Sequence, residues 1–342
     1  MRLGLALPHY DTSLAGGPLS WPDLARVATK AEQAGFDSLW VSDHFFLDWS
    51  KYGGPDTLQG SLECWTTLSA LAAHTDTVRL GSLALCNDLR NPALVAKMAA
   101  TLDLLSGGRL DLGMGAGWYE PEYRAAGIEF SRAGTRIRRL GEAVEIVTRL
   151  LSGDEVTFIG EHYTTSEAVC RPQPVQQPRP PVWVCGKGDL LLRTAATSAD
   201  GWNFSWVGSL DAYEERARAA YRACEEVGRK PETLRRSVGA YVLAGRDEGD
   251  VRRRFERLAE ATPKGILQAS KPGGAVSWER FRQDRVAGTV DEVVDRLGRL
   301  EELGAEEVII GLGAVPFQVS DEEDVELIGT EVAKKLQERR TD

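Results

Sequence analysis

Residues that hold metals are scarce in this chain. Its 342 residues include 5 cysteines and 4 histidines; neither HExxH nor HxH occurs, and no two cysteines form a CxxC pair. A zinc or metallohydrolase centre would lack its ligands, so no metal is expected. The G-x-S-x-G turn that raises a nucleophilic serine is missing as well. No stretch approaches the ~20 consecutive apolar residues of a membrane helix, and the opening Met1 to Pro8 is too short for the apolar core of a secretory leader. Cys64, Cys86, Cys170, Cys185 and Cys224 read as reduced thiols, which makes a cytoplasmic location the expectation. Blocks of one charge are absent too. The formal net charge of -10 comes from interspersed acids and bases, which argues against nucleic acid as a partner.

What the chain does have is a repeated strand and helix beat. With 42% hydrophobic residues over this length, it can bury either two ordinary domains or one α/β barrel. Strands are predicted near residues 3–7, 38–41, 78–85, 110–113, 182–185, 201–204, 238–243 and 308–311, mostly separated by helical periodicity. In the first unit Ser20 precedes a stripe of Leu24, Val27, Ala28 and Ala31, and Gly35 suits the left-handed helix stop before Leu39-Trp40-Val41. The last unit repeats this grammar, with Thr289 and Glu292 spaced as a capping box. Eight such units predict an α/β fold, a (β/α)8 TIM barrel with insertions, as one domain over residues 1–342. The insertions are expected at about 154–181, where five prolines fall between Pro172 and Pro181, and at about 262–287. The second, with Gly265, Gly273, Gly274, Lys271, Arg280, Arg282 and Arg285, reads as a lid over the barrel mouth or as a solvated surface segment.

In a parallel barrel the strand ends gather at one rim, where ligands bind. The predicted ends bring together Pro8-His9-Tyr10, Asp43-His44, Cys86-Asn87, Gly115 to Tyr119, Gly186-Lys187-Gly188, Asn203 to Trp206 and the Gly313 region. His44 and His9 become candidates for proton transfer or ligand contact, against the alternative of structural histidines. Asp43 either orients the His44 ring or caps the next segment. The run Gly113-Met114-Gly115-Ala116-Gly117 lacks GxGxxG spacing. Followed by Trp118-Tyr119, it reads as a wall for a flat ring or as a tight turn over core aromatics. Cys185-Gly186-Lys187-Gly188 opens a helix, where backbone N–H groups and an ammonium suit a phosphate. Glu120 with Asp247 or Glu248 keeps glycoside hydrolysis as a third chemistry.

Over nearly its whole length the chain resembles the luciferase-like monooxygenase superfamily, barrel enzymes that use FMN or the deazaflavin coenzyme F420. The residues that carry the resemblance are the segment from Ala31 to His44, Leu80-Gly81-Ser82, Arg90-Asn91-Pro92-Ala93, Leu104 to Arg109, the glycine run ending in Trp118, Ala199 to Asn203, and Gly288 to Val293. It is most similar to the deazaflavin-dependent branch. The resemblance implies coenzyme F420, with FMN as the alternative, and hydride transfer between position 5 of the ring and a small organic substrate. It implies catalytic roles for His44 and Asp43, and cofactor contacts from His9, Leu83, Ala84, Gly115, Gly117, Trp118, Gly186, Lys187 and Gly188. A non-prolyl cis peptide is expected at Leu83–Ala84, and a homodimer is expected. Rival readings are an FMN-dependent monooxygenase using oxygen and a non-catalytic barrel that binds a flavin-like ligand. One departure is the Cys86-Asn87-Asp88 stretch, often more apolar in relatives, which implies an unusually polar pocket floor.

Overall fold

Eight parallel strands close on themselves: β1 (Arg2–Ala6), β2 (Ser38–Val41), β3 (Arg79–Ser82), β4 (Leu110–Gly115), β5 (Val182–Cys185), β6 (Gly201–Val207), β7 (Arg235–Gly245) and β8 (Glu307–Gly311). The ring runs in sequence order, and β4 closes it by pairing with β5 through Leu112↔Val182 and Met114↔Val184. This computed structural model describes residues 1–14, 18–263, 265–268 and 278–339. Runs such as SLWV, VWVC and EVIIG are buried at every position, as parallel strands covered on both faces must be.

Ten helices matter for placing the site: α1 (Trp21–Ala34), α2 (Cys64–His74), α3 (Pro92–Leu105), α4 (Glu120–Ala125), α5 (Ala133–Leu151), α6 (Asp189–Ser198), α7 (Leu210–Glu226), α8 (Glu248–Ala261), α9 (Trp278–Asp284) and α10 (Val290–Glu302). The predicted punctuation is present. Gly35 ends α1 at φ 97°, a conformation only glycine takes without strain, and Thr289 with Glu292 forms a complete capping box on α10. The stripe Leu24, Val27, Ala28 and Ala31 is buried in the core between helices and barrel.

A second core fills the barrel itself. Trp40 and Trp183 are 1% and 0% exposed, and strand glycines opposite them supply the room. A Cβ on Gly81 would lie 2.3 Å from the Trp40 ring, and one on Gly201 would lie 2.2 Å from the Trp183 ring. Large residue and absent side chain are therefore one packing unit. Below them, the Trp40 Nε1–H donates to Ser38 Oγ (2.8 Å), and Arg2 donates to the buried Glu307 (2.7 Å). The N-terminal end is plugged by these groups, which leaves the C-terminal rim for ligands.

The predicted order stands, but some boundaries change. The stretch predicted as one strand over 78–85 is split into Arg79–Ser82 and Leu85–Cys86. The segment expected as an irregular insertion at 262–287 contains α9 and ends in a short strand, Val286–Thr289. That strand pairs with the upper half of β7, Val242 to Gly245, while Ser237 to Tyr241 below pairs with β8. Four residues without alternation carry too little pattern to be read as a strand alone. Of the residues that motivated the lid, Lys271, Gly273 and Gly274 lie outside the described residues, while Arg282 pairs with Glu292 on α10 and Arg285 donates to the Ala314 carbonyl (3.0 Å). In the proline-rich stretch, Val156–Ile159 and Thr164–Ala168 form an antiparallel hairpin. Among the described residues no helix is long and apolar enough to cross a membrane.

Candidate active site

Strand β3 ends in an irregularity that shapes the rim. The Leu83–Ala84 peptide is cis, at the expected position. The Leu83 N–H bonds the Val41 carbonyl (2.8 Å), so this corner is tied to β2. Against it lies β4, so close that a Cβ on Gly113 would sit 2.1 Å from the Ser82 carbonyl oxygen. A cavity of about 380 Å³ opens above these strand ends, within the size range of small-molecule sites. One wall carries Leu83, Ala84, Cys86, Gly115 and Gly117, with Trp118 half-exposed at the mouth.

His44 stands on this rim with one nitrogen occupied. Its Nδ1 lies 2.9 Å from Glu122 Oε1, and the Phe45 backbone N–H donates to Glu122 Oε2 (3.0 Å). A carboxylate whose other oxygen accepts the Phe45 N–H calls for a donor at Oε1 as well, which assigns the ring hydrogen to Nδ1 and leaves Nε2 to carry the lone pair of an uncharged ring. The assignment follows from the bonding pattern. Trp118 meets the imidazole edge to face at 5.6 Å, with Tyr119 and Tyr10 at 6.4 and 6.5 Å. The ring thus has little freedom to turn.

Asp43, expected to orient His44, is engaged elsewhere. Its carboxylate takes a bidentate pair of bonds from Arg90 (2.7 and 3.0 Å) and the Cys86 N–H (2.8 Å). It pins the start of the loop after β3 to the end of β2, while Arg90 also reaches Glu63 (2.7 Å), the cap of α2. The carboxylate beside the imidazole is Glu122. It was missed because Glu120-Pro121-Glu122 offers two acids in one helical turn, and only the register of α4 turns the second inward: Glu120 is exposed and Glu122 is 1% exposed.

Across the rim, Cys185 and Gly186 lead into α6. Its N-cap is Gly188, with no side chain to bond the first-turn N–H groups, so those donors remain for an anion. Gly186 has φ 144°, and a Cβ there would collide with Leu191 Cδ1 at 2.4 Å. The Lys187 Nζ donates to the Trp206 carbonyl (3.0 Å) and lies 5.1 Å from the Phe204 ring centroid.

Of the predicted site residues, Asp43, His44, Leu83, Ala84, Gly115, Gly117, Trp118, Gly186 and Lys187 line the one cavity. His9 and Gly188 do not. Gly188 sits at the helix start just behind Lys187, whereas His9 is fully buried between the Tyr10 and Phe317 rings. Neither of its nitrogens has a hydrogen-bond partner, and burial lowers its pKa to about 4 despite the nearby Leu62 and Ser42 backbone. The polar floor is also corrected. Only Cys86 of its stretch reaches the cavity, and burial lifts its thiol to about 12. Asn87 turns to the Tyr163 hydroxyl (3.1 Å), and Asp88 pairs with Arg139 on α5 (3.2 Å). Tyr52, on a turn far from any predicted strand, lines the cavity unforeseen. Asp247 caps α8 and, with Glu248, faces solvent, so the proposed carboxylate pair has no cavity.

Known proteins share this architecture. The chain is 34% identical over 218 residues to an F420-dependent glucose-6-phosphate dehydrogenase of Amycolatopsis mediterranei, covering 60% of this chain and 62% of that one. It therefore spans about three fifths of the length of that relative. It is 29% identical to the F420-dependent hydroxymycolic acid dehydrogenase of Mycobacterium tuberculosis, over 85% of this chain and 76% of that one. The coenzyme F420-dependent tetrahydromethanopterin reductase of Methanopyrus kandleri has the same fold, with a TM-score of 0.74 at 21% identity, covering 98% of this chain and 99% of that one. The family model described as luciferase-like monooxygenase matches residues 1–307. With that match spread over seven of the eight barrel strands and the start of the eighth, the chain belongs to the luciferase-like monooxygenase family.

Proposed function

We propose that this protein is an oxidoreductase that uses coenzyme F420 to exchange a hydride with a small organic substrate. The observation that carries the reading is that His44, its Nδ1 bonded to Glu122, and the Gly186-Lys187 turn that leads into α6 line one cavity. The residues fit a flat, phosphate-bearing ring. Leu83, Ala84 and Gly115 give a low wall for its face, and Gly186, Lys187 and the uncapped start of α6 suit its phosphate. When bound, the deazaflavin supplies a ring carbon that takes or gives a hydride.

The chain's own part is the proton. His44 Nε2 takes the hydroxyl proton as an alcohol becomes a carbonyl, or returns it in the reverse direction. Glu122 keeps the acceptor lone pair on Nε2 and steadies the imidazolium that forms. Asp43, through Arg90 and the Cys86 N–H, holds in place the strand corner that carries the cavity wall. The names of the F420-dependent relatives support this choice of cofactor over FMN.

Titrating cofactor-free protein with F420 and with FMN, followed by ring fluorescence, tests the reading. Tighter binding of F420, with substrate turnover indifferent to oxygen, is the expected result. Preference for FMN and a requirement for oxygen would replace it by a monooxygenase, and binding without turnover over a broad panel would leave only a ligand-binding barrel.

A further inference from the structure

The cavity is chemically lopsided, and the lopsidedness bears on what it takes as substrate. Lys187 is the one ammonium or guanidinium among the described residues that line it, and it belongs to the end of β5. In an eight-membered ring the strand opposite β5 is β1, with β8 beside it. From that side the lining is Tyr10, Pro316 and Phe317, flanked by Tyr52 and Trp206. Among the described residues the other charged lining groups are the carboxylates of Asp43 and Glu122.

Among the described residues that line the cavity, an anionic substrate placed beside His44 would approach Glu122 and meet no counter-ion on the aromatic side. The Arg285 guanidinium lies two layers back: Trp206 packs on Tyr241 at 5.1 Å, and Arg285 stacks on the far partner, Tyr241, at 4.0 Å. Its Nη2 donates to the Ala314 carbonyl (3.0 Å), while its Nη1 has no partner. Aromatic walls without counter-charge favour a ligand that loses little hydration on entry and buries apolar surface. Tyr10 adds a polar group suited to a neutral ligand, a buried phenol whose oxygen accepts from Ser42 (3.1 Å) and whose own hydrogen remains to be donated.

We infer that the substrate is an uncharged secondary alcohol or ketone on a bulky apolar body, and that phosphorylated sugars and carboxylates are rejected. This rests on the oxidoreductase reading above, and the test separates the two. Binding of cyclohexanol, 2-octanol and glucose 6-phosphate to the cofactor-free protein is followed by quenching of tryptophan fluorescence, and turnover is then measured with F420. The expected result is at least ten-fold tighter binding of the alcohols than of the sugar phosphate, with the same order in kcat/KM.

Two variants at one partly exposed position sharpen it. Tyr52→Ala should weaken alcohol binding several-fold, and Tyr52→Arg should raise glucose 6-phosphate affinity at least ten-fold in a salt-sensitive way, both with F420 affinity within two-fold of the parent. Preference of the parent protein for glucose 6-phosphate overturns the inference, and if Arg285→Gln abolishes that preference, the second-layer guanidinium is its cause. Tight alcohol binding with no affinity for F420 would sink the cofactor reading while leaving the substrate class standing.

Discussion

The Nδ1 atom of His44 lies 2.9 Å from Oε1 of Glu122, so an imidazole at the end of β2 is set by the opening turn of α4, 78 residues later. A base held in this way is oriented before substrate arrives, which is where much of the advantage of a positioned group originates. His44→Ala should lower kcat by about 10²- to 10⁴-fold, the usual range for a positioned acid or base, with F420 affinity nearly unchanged. Glu122→Gln keeps the shape but no longer forces the hydrogen onto Nδ1, so a smaller loss and a displaced pH profile of kcat are expected. Equal turnover in parent and His44→Ala would remove the ring from the chemistry.

Gly117 has φ 73°, and a Cβ on it would sit 1.8 Å from the Tyr123 hydroxyl oxygen. Gly117→Ala therefore combines an unfavourable backbone conformation with a clash, at a cost of about 1–3 kcal/mol. A lower Tm and weaker cofactor binding should result. Adding Tyr123→Phe deletes the offending oxygen, and in a double-mutant cycle part of the lost stability should return; strict additivity would show that the hydroxyl is not the obstacle.

His9 makes stability depend on pH in a definite direction. Its folded pKa of about 4 lies below the ordinary 6.5 because the ring is buried, so the unfolded chain binds the proton more readily. The stabilisation is complete above about pH 6.5 and shrinks as pH falls toward 4, by on the order of 3 kcal/mol in total. Calorimetric Tm values between pH 7 and 4 should fall more steeply for the parent than for His9→Phe, whose ring suits the site between Tyr10 and Phe317. Identical slopes would acquit His9.

All five cysteines are free and buried, and burial raises the thiols of Cys64, Cys86 and Cys185 well above the ordinary range. Little thiolate is present near neutrality. A disulfide-exchange reagent such as Ellman's should therefore modify far less than one thiol per folded chain at pH 7.5, and about five after denaturation. Rapid labelling of Cys86 in the folded state would mean that the cavity wall opens readily.

Much of the barrel could be read directly because its signals are local. Gly35 and the Thr289/Glu292 box mark helix ends through the conformations of a few adjacent residues, and SLWV or EVIIG declares double-sided burial by composition. Asp43 and Glu122 show the opposite case. Whether a carboxylate bonds the neighbouring imidazole or an arginine 47 residues away is decided by where side chains meet, and sequence adjacency pointed to the wrong acid. Val286–Thr289 was missed for a related reason, since its partner lies 44 residues earlier in β7.

By itself, then, the sequence determined the order of strands and helices, the rim on which the functional groups collect, and the position of the irregular turn after β3. The first two follow from hydrophobic period and from residues with restricted or unusual backbone freedom, and the third from the family resemblance that the sequence carries. Only the tertiary structure decided which acid serves His44, that His9 is sealed from the cavity, and that the wall facing Lys187 is aromatic. Those outcomes depend on distances across the barrel, and no local pattern encodes a distance between side chains that meet only when the ring closes.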